Sequence, residues 1–401
     1  MRIAIFTDVY LPLRGGTQTS IHNQKQMLEQ AGHTVTIFTT PHPDAEGRAD
    51  IVTVQGVNFT TKRGEQLQLT MPTPTRQIRN ELLSRRIELV HVQTDFGIGI
   101  SGAAAAKKLN LPLVYTFHTL LWEQIETRPR GEQLAVHLFE APMQKTLTVP
   151  KNFHVERLPG ERSYAYKFRR HVCLLASQAD VVISPSPHMA EKFKAWLPAG
   201  TIVTSPNTVT TPPRQQTLPA LPTFLWMGRM MPEKRVLDFC HAIQLISKYT
   251  DGAFHAVIVG DGSDLEEASK LLRETPQATL AGSIPNEHIN SYIDNASALV
   301  MTSQGFDNQP MVITETIVGG RGFVSMDNDL VQDVTPGVGV FPGGTTPDDL
   351  ARCLAELIDK PHLLQQMSDT AAAIAPHYNA AQGLERQLNA YQQALQHFHQ
   401  A

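Results

Sequence analysis

A pattern that runs once, stops, and runs again limits what this chain can fold into. Short apolar, β-prone runs alternate with helical segments and with loops that carry glycine. In the first pass the strands are expected at 2–7, 34–39, 89–92, 113–119 and 179–186, with helices at 18–30, 76–88, 97–108 and 187–196. In the second pass strands are expected at 223–227, 253–259, 278–281, 298–301 and 322–325. Helices follow at 236–248, 265–272, 287–295, from 316 onward, and at 348–358, 363–373 and 380–398. Apolar strands separated by helices read as βαβ units and a parallel sheet buried on both faces. Between the passes, residues 205–222 are rich in Pro and Thr, including Pro206, Thr208, Pro212 and Pro213. That is linker composition, so a domain boundary belongs there. The expectation is α/β, with two Rossmann-like domains facing across a cleft. The N-terminal domain covers 1–205 and the C-terminal domain 215–375, with a last helix at about 378–401 packing back on the first. A length of 401 residues suits two such cores.

Composition removes several classes of function. Apolar residues make up 41% of the chain and charged residues 18%, as in a globular protein. No run of ~18 apolar residues exists to span a bilayer. The first residues, Met1 to Asp8, turn polar too soon for a secretory signal. Cys173, Cys240 and Cys353 lie far apart without metal-like spacing and are expected to be reduced, which points to a cytoplasmic protein. Zinc spacings and aromatic ribonucleoprotein motifs are missing, so no nucleic-acid partner is expected. Charge is unequally shared: residues 1–200 carry 23 Lys and Arg against 17 Asp and Glu, and residues 201–401 carry 11 against 21. A basic first half fits an anionic membrane surface. Arg76, Arg79, Arg85 and Arg86 on one expected helix, and the apolar and basic mixture of 120–170, read either as an interfacial surface or as solvated helices covering the cleft.

Candidate site residues cluster at strand ends, where open α/β sheets bind ligands. Gly15 and Gly16 follow the first strand, and His118 closes another. Arg229 and Lys234 follow the first strand of the second pass, and Gly260 and Gly262 the next. Asp307 and Glu315 stand eight positions apart where the strand at 298–301 gives way to a helix. Each has a plainer reading when taken singly. A Gly-Gly loop is commonly just a turn, a strand-end His is commonly structural, and loop Arg and Lys are commonly solvated. Two carboxylates beside a helix start that favours phosphate point instead to a ligand with both anion and hydroxyls, such as a nucleotide sugar.

Taken together the motifs resemble one family. Gly228-Arg229 with Lys234 after a strand, Val259-Gly260-Asp261-Gly262 after the next, and an acid separated by seven residues from Glu315 occur in the order of retaining GT-B glycosyltransferases of family 4. Gly15-Gly16 and Thr116-Phe117-His118-Thr119 extend the likeness over nearly the whole chain. The Thr7-Asp8-x-Tyr10-x-Pro12 start and Asp307-Asn308-Gln309 are most similar to bacterial diacylglycerol glucosyltransferases. Three departures stand out. The first acid is Asp307 rather than Glu, Pro206-Asn207-Thr208-Val209 lacks the usual Gly, and Gly319-Gly320-Arg321-Gly322 replaces a run of small residues and Pro.

The resemblance implies roles with physical reasons. Arg229 and Lys234 would hold the donor diphosphate as it gains charge. Gly15 and Gly16 would let backbone approach the phosphates. Glu315 would accept from ribose hydroxyls and Asp307 from a hexose hydroxyl. The backbone of Asn308, Gln309, Pro310 and Met311 would contact phosphate or sugar. Gly260, Gly262, Ser283 and Ile284 would surround the base. His118 would orient the sugar near the reacting carbon. The implied activity is transfer of a hexose, glucose from UDP-glucose foremost, with retention and without cofactor or metal. The acceptor would be a membrane lipid such as diacylglycerol, with the enzyme peripheral on the inner face of the cell membrane. A soluble or polyprenyl-linked glycan acceptor, and a non-catalytic accessory subunit of the same fold, are the alternatives.

Overall fold

A computed structural model of the chain describes residues 1–11, 15–55, 57–60, 66–69, 75–118, 145–151, 153–197, 200–214, 217–250, 254–305 and 307–400. Two compact units emerge, Met1–Thr208 with Gly383–Ala401, and Val209–Gln382.

The first unit contains β1 (Arg2–Phe6), α1 (Gly16–Gln30), β2 (Thr34–Thr39), β3 (Ile51–Thr53), an antiparallel pair β4 (Val57–Thr60) and β5 (Gln66–Leu69), and α2 (Thr75–Ser84). It continues through β6 (Leu89–Val92), α3 (Gly97–Leu109), β7 (Leu113–Thr116), α4 (Ser163–Ala176), β8 (Val181–Ser184), α5 (Pro187–Lys194) and β9 (Ile202–Thr204). Seven strands make one sheet in the order β3-β2-β1-β6-β7-β8-β9, with every pairing parallel. The two faces of a strand fill different cores, as the two-residue period requires. Ala4 and Phe6 pack with α2, α3, α4 and α5, while Ile3 and Ile5 pack with α1 and with Tyr391. Gly102 of α3 lies so close to β1 that a Cβ there would stand 2.4 Å from the Phe6 ring.

The second unit repeats the plan with β10 (Thr223–Met227), α6 (Val236–Ser247), β11 (His255–Val259), α7 (Leu265–Leu272), β12 (Ala278–Gly282), α8 (Asn286–Asp294) and β13 (Ala298–Met301). Then come α9 (Met311–Val318), β14 (Gly322–Ser325), α10 (Asn328–Gln332), β15 (Gly339–Val340), α11 (Pro347–Asp359) and α12 (Pro361–Ile374). Its six-stranded parallel sheet runs β12-β11-β10-β13-β14-β15. The last helix, α13 (Ala380–Gln400), places Ala390, Tyr391 and Ala394 in the core that holds Ile3, Ile37 and Val114 of the first unit.

Strand order reverses beside β1 in the first sheet and beside β10 in the second. Chain connections leave on opposite faces at such a point and open a crevice at the strands' carboxyl ends.

Several elements differ from the sequence expectation. Helix α9 begins at Met311, five residues before the expected start, because Pro310 serves as its N-cap. Strand β7 ends at Thr116, leaving Phe117 and His118 beyond it. Helix α2 stops at Ser84, where Arg86 turns into the left-handed region. Helix α4 starts inside the stretch read as irregular. Its charges hide its period: Arg169 is fully buried and donates to both carboxylate oxygens of Glu161 at 2.7 Å, with Trp196 stacked 4.4 Å below its guanidinium. The part of the 120–170 expectation that falls on 120–144 and 152 lies outside the described residues.

Candidate active site

In the second unit the loops after β10 and β13 meet at the switch point. Trp226 Nε1 donates to Thr302 Oγ1 at 2.9 Å, and Thr302 Oγ1 donates to the carbonyl of Lys234 at 2.6 Å. That buried relay ties the Pro232–Lys234 turn to the end of β13. Lys234 Nζ then reaches Asp307, 2.6 Å from Oδ1 and 2.8 Å from Oδ2, and Ser303 Oγ donates to Oδ2 at 2.6 Å. The side chains of Lys234 and Asp307 are 16% and 11% exposed. Shielding from water strengthens the pair, while the remaining exposure leaves it reachable by a ligand. The lysine that the resemblance puts on a diphosphate thus stands on the carboxylate that it puts on a hexose hydroxyl. Arg229 is exposed on the same loop.

The loop beyond leads into α9, whose N-cap Pro310 supplies no side-chain hydrogen bond. Its first-turn N–H groups make an anion-favouring end. Asn308 and Met311 are buried, while Gln309 and Pro310 are half-buried. Glu315 lies within α9 rather than ahead of it and keeps part of its surface accessible. Burial among protein atoms pushes its carboxyl up to about 7, against the opposing pull of the Arg214 guanidinium. Arg214 is itself anchored, its Nε 3.0 Å from Asp294 Oδ1.

Gly260 and Gly262 stand in the next loop for a reason that is first structural. Their φ angles of 147° and 152° favour glycine. A Cβ on Gly260 would lie 1.9 Å from the Gly228 carbonyl oxygen, and one on Gly262 2.4 Å from that of Met230. Met230 N donates to Asp261 O at 2.8 Å, so the β10 and β11 loops touch backbone to backbone. Ser283 is exposed and Ile284 half-buried after the edge strand β12.

In the first unit Gly15 caps α1 with an extended φ of 173°, a conformation open to any residue, and Gly16 is the exposed first residue of that helix. His118 Nε2 lies 2.6 Å from Gln93 Oε1. Burial holds the imidazole down at about 4, so it is neutral at ordinary pH. Asp8, at the end of β1, accepts from Thr94 Oγ1 at 2.7 Å and from Ile98 N at 3.0 Å, closing the N-terminus of α3.

The structure brings Lys234 and Asp307 together and keeps Gly15, Gly16 and His118 on the other unit. Ser303, Thr302, Arg214 and Gln93 are missed by the sequence reading. Ser303 and Gln93 each follow a strand's carboxyl end closely, the signal that singles out His118, but their side chains are neutral and carry no motif. Among the described residues no group of three His, Cys, Asp or Glu side chains gathers as a metal holder.

Several known proteins are similar to this chain in sequence or fold. The family model described as Glycosyltransferase Family 4 matches residues 14–211, and that described as Glycosyl transferases group 1 matches 221–360. The alpha-monoglucosyldiacylglycerol synthase of Acholeplasma laidlawii is 24% identical over 388 residues, 92% of each chain. Sucrose-phosphate synthase from Thermosynechococcus elongatus superposes with a TM-score of 0.71 at 16% identity, over 98% of this chain and 99% of the other. Anabaena HepE in complex with UDP-glucose superposes with a TM-score of 0.66 at 13% identity, over the same shares. With two Rossmann-like units, the site at the strands' carboxyl ends and family models spanning both units, the chain belongs to the family 4 glycosyltransferases of the GT-B fold.

Proposed function

We propose that this glycosyltransferase moves glucose from UDP-glucose to a membrane lipid, diacylglycerol foremost, with retention of configuration. The observation that carries the lipid acceptor is the likeness, along 92% of both chains, to a protein named for making a glucosyldiacylglycerol. The donor is taken from the neighbour solved with UDP-glucose. The surface of the first unit supports the acceptor. Val149, Leu158 and Tyr164 are exposed large hydrophobics among the exposed Lys145, Lys151, Arg157, Arg162 and Lys167, and Leu83 of α2 is exposed beside Arg86. Apolar side chains among bases suit the interface of an anionic bilayer. No helix among the described residues is long and apolar enough to cross a membrane, so the protein would lie on the surface, on the cytoplasmic face.

In this reading Arg229 and Lys234 take the diphosphate, Asp307 passes from Lys234 to a hexose hydroxyl, and Glu315 accepts from the ribose. The acceptor oxygen bonds to the anomeric carbon on the face from which the diphosphate leaves. The sugar–phosphate bond breaks with its electron pair on the departing oxygen, and the acceptor's proton goes to a phosphate oxygen. A neutral His118 of low basicity supports an orienting task for that side chain rather than the task of a base. The diphosphate charge is met by side chains, and the reading needs no metal or cofactor.

The test follows UDP release from UDP-glucose in the presence of mixed anionic vesicles with and without diacylglycerol. Release is expected to depend on diacylglycerol, to weaken as salt screens the vesicle surface, and to be lost in Arg229→Ala and Lys234→Ala. Diacylglycerol-independent release onto a soluble glycan overturns the lipid acceptor, and unchanged turnover in both variants overturns the donor site.

A further inference from the structure

Gln93 follows β6 directly, at the switch point of the first sheet, and is 1% exposed. Its backbone N–H donates to Phe6 O at 2.9 Å, fixing it between β1 and β6. Its side chain links two polar groups: Oε1 lies 2.6 Å from His118 Nε2, and Nε2 lies 2.7 Å from Gln24 Oε1. We propose that Gln93 is a positioning residue that holds His118 as the Nε2–H tautomer, with its Nδ1 lone pair turned outward as an acceptor for a substrate hydroxyl.

The direction of every bond in the surrounding network agrees with one assignment. Ser20 Oγ donates to Asn207 Oδ1 at 2.7 Å, so its oxygen receives Gln24 Nε2 at 3.2 Å. Gln24 therefore turns its Oε1 to Gln93, and Gln93 turns its own Oε1 to His118. Only an N–H on His118 Nε2 satisfies that oxygen. The second hydrogen on Gln93 Nε2 points to His91 Nδ1 at 3.3 Å, which also receives the Tyr391 hydroxyl at 3.0 Å. His91 Nε2–H then donates to Thr116 Oγ1 at 2.7 Å. Both imidazoles come out neutral, each with its proton on Nε2. The titratable neighbours of His118 among the described residues are His91 on β6 and, behind it, Tyr391 on α13; burial depresses His91 and raises the Tyr391 phenol, so neither supplies charge. An acceptor nitrogen takes the proton of a sugar or lipid hydroxyl, whereas an Nδ1–H ring would donate to the hydroxyl oxygen and leave that proton to another partner.

The proposal rests on His118 touching substrate, and one experiment separates the two ideas. Nitrogen-15 histidine spectra of the full chain, with the His118 signal identified by its absence in His118→Gln, report the tautomer directly. The wild type is expected to show Nε2–H at pH 7. Gln93→Glu places a carboxylate on Nε2, which lifts the His118 imidazole from about 4 toward about 6–7, and kcat then falls about ten-fold for each pH unit below that raised value, as the ring turns cationic and loses its acceptor. Should Gln93→Glu not fold, Gln24→Met frees the Gln93 amide to flip, and a mixture of tautomers is expected. An Nδ1–H ring in the wild type, or spectra unmoved in Gln93→Glu and Gln24→Met, overturns the proposal. Spectra that move while turnover stays constant uphold the positioning by Gln93 and overturn the assignment of His118 to the substrate site.

Discussion

At the residue scale Glu315 carries the sharpest consequence. Its carboxyl, raised to about 7 by burial, is near half protonation at neutral pH in the free protein. A carboxylate accepts two ribose hydroxyls, while the protonated form can accept only with its remaining lone pairs. If Glu315 accepts from the ribose as proposed, binding the nucleotide favours the ionised form and releases part of that proton. UDP affinity, measured by calorimetry, is expected to rise with pH through about 7 and to level off above it. In Glu315→Gln affinity is weaker and the rise over that window disappears. Removing the opposing guanidinium in Arg214→Met moves the midpoint upward. A flat affinity between pH 6 and 8 in the wild type would show that Glu315 does not meet the nucleotide. The two charged residues most easily picked out of the sequence behave differently. Lys234 and Asp307 are visible as charges after strands, but their pairing spans 73 positions. It depends on β10 lying beside β13, a neighbour relation that residue spacing does not contain.

Elements explain why some glycines stand where they do. The β10 and β11 loops pack with Gly260 against the Gly228 carbonyl, leaving no room for a methyl group. Gly260→Ala is expected to cost about 2–5 kcal/mol through strain at a glycine-only φ and forced separation of the loops. Chemical denaturation of the second unit reads the stability loss directly. A near-neutral effect would mean that the loops part freely, and the glycine would then be explained by a ligand alone. The same scale shows how far sequence goes. Strands β10, β13 and β14 are legible because helices cover both faces, so nearly every residue is apolar. Helix α7 is legible as well, with its acidic first turn and its apolar face. The start of α9 is not, because Pro310 and the polar residues before it read as loop, and a proline N-cap looks the same in sequence as a proline turn. Helix α4 is obscured by Arg169, whose burial depends on Glu161 and Trp196 arriving from either side.

For the whole molecule, the return of the chain matters most. The first unit is assembled from residues 1–208 and a C-terminal segment, so its core is completed only when the last helix docks. Tyr391 is fully buried there, with its ring edge-on to His91 at 5.6 Å between centroids and its hydroxyl on His91 Nδ1. Gly383 marks the entry of this helix into the first unit: a Cβ there would stand 2.4 Å from a Thr208 side-chain atom. Truncation in Tyr391→Ala removes a large aromatic from a closed core and is expected to cost about 3–5 kcal/mol. Tyr391→Phe removes one hydroxyl and is expected to cost about 1 kcal/mol. Hydrogen exchange distinguishes where the loss falls. Amides of β1, β6 and β7 should lose protection in Tyr391→Ala, in proportion to the stability lost, while those of β10 and β13 keep theirs. Equal loss in both sheets would mean that the units unfold as one, and unchanged β6 would mean that the last helix contributes nothing to the core it enters. Because His91 joins Tyr391 to Gln93, the phenylalanine variant also removes one of the two donors that hold His91 Nδ1 as an acceptor. The effect of the last helix on the candidate site is therefore measurable in a protein that has kept its fold.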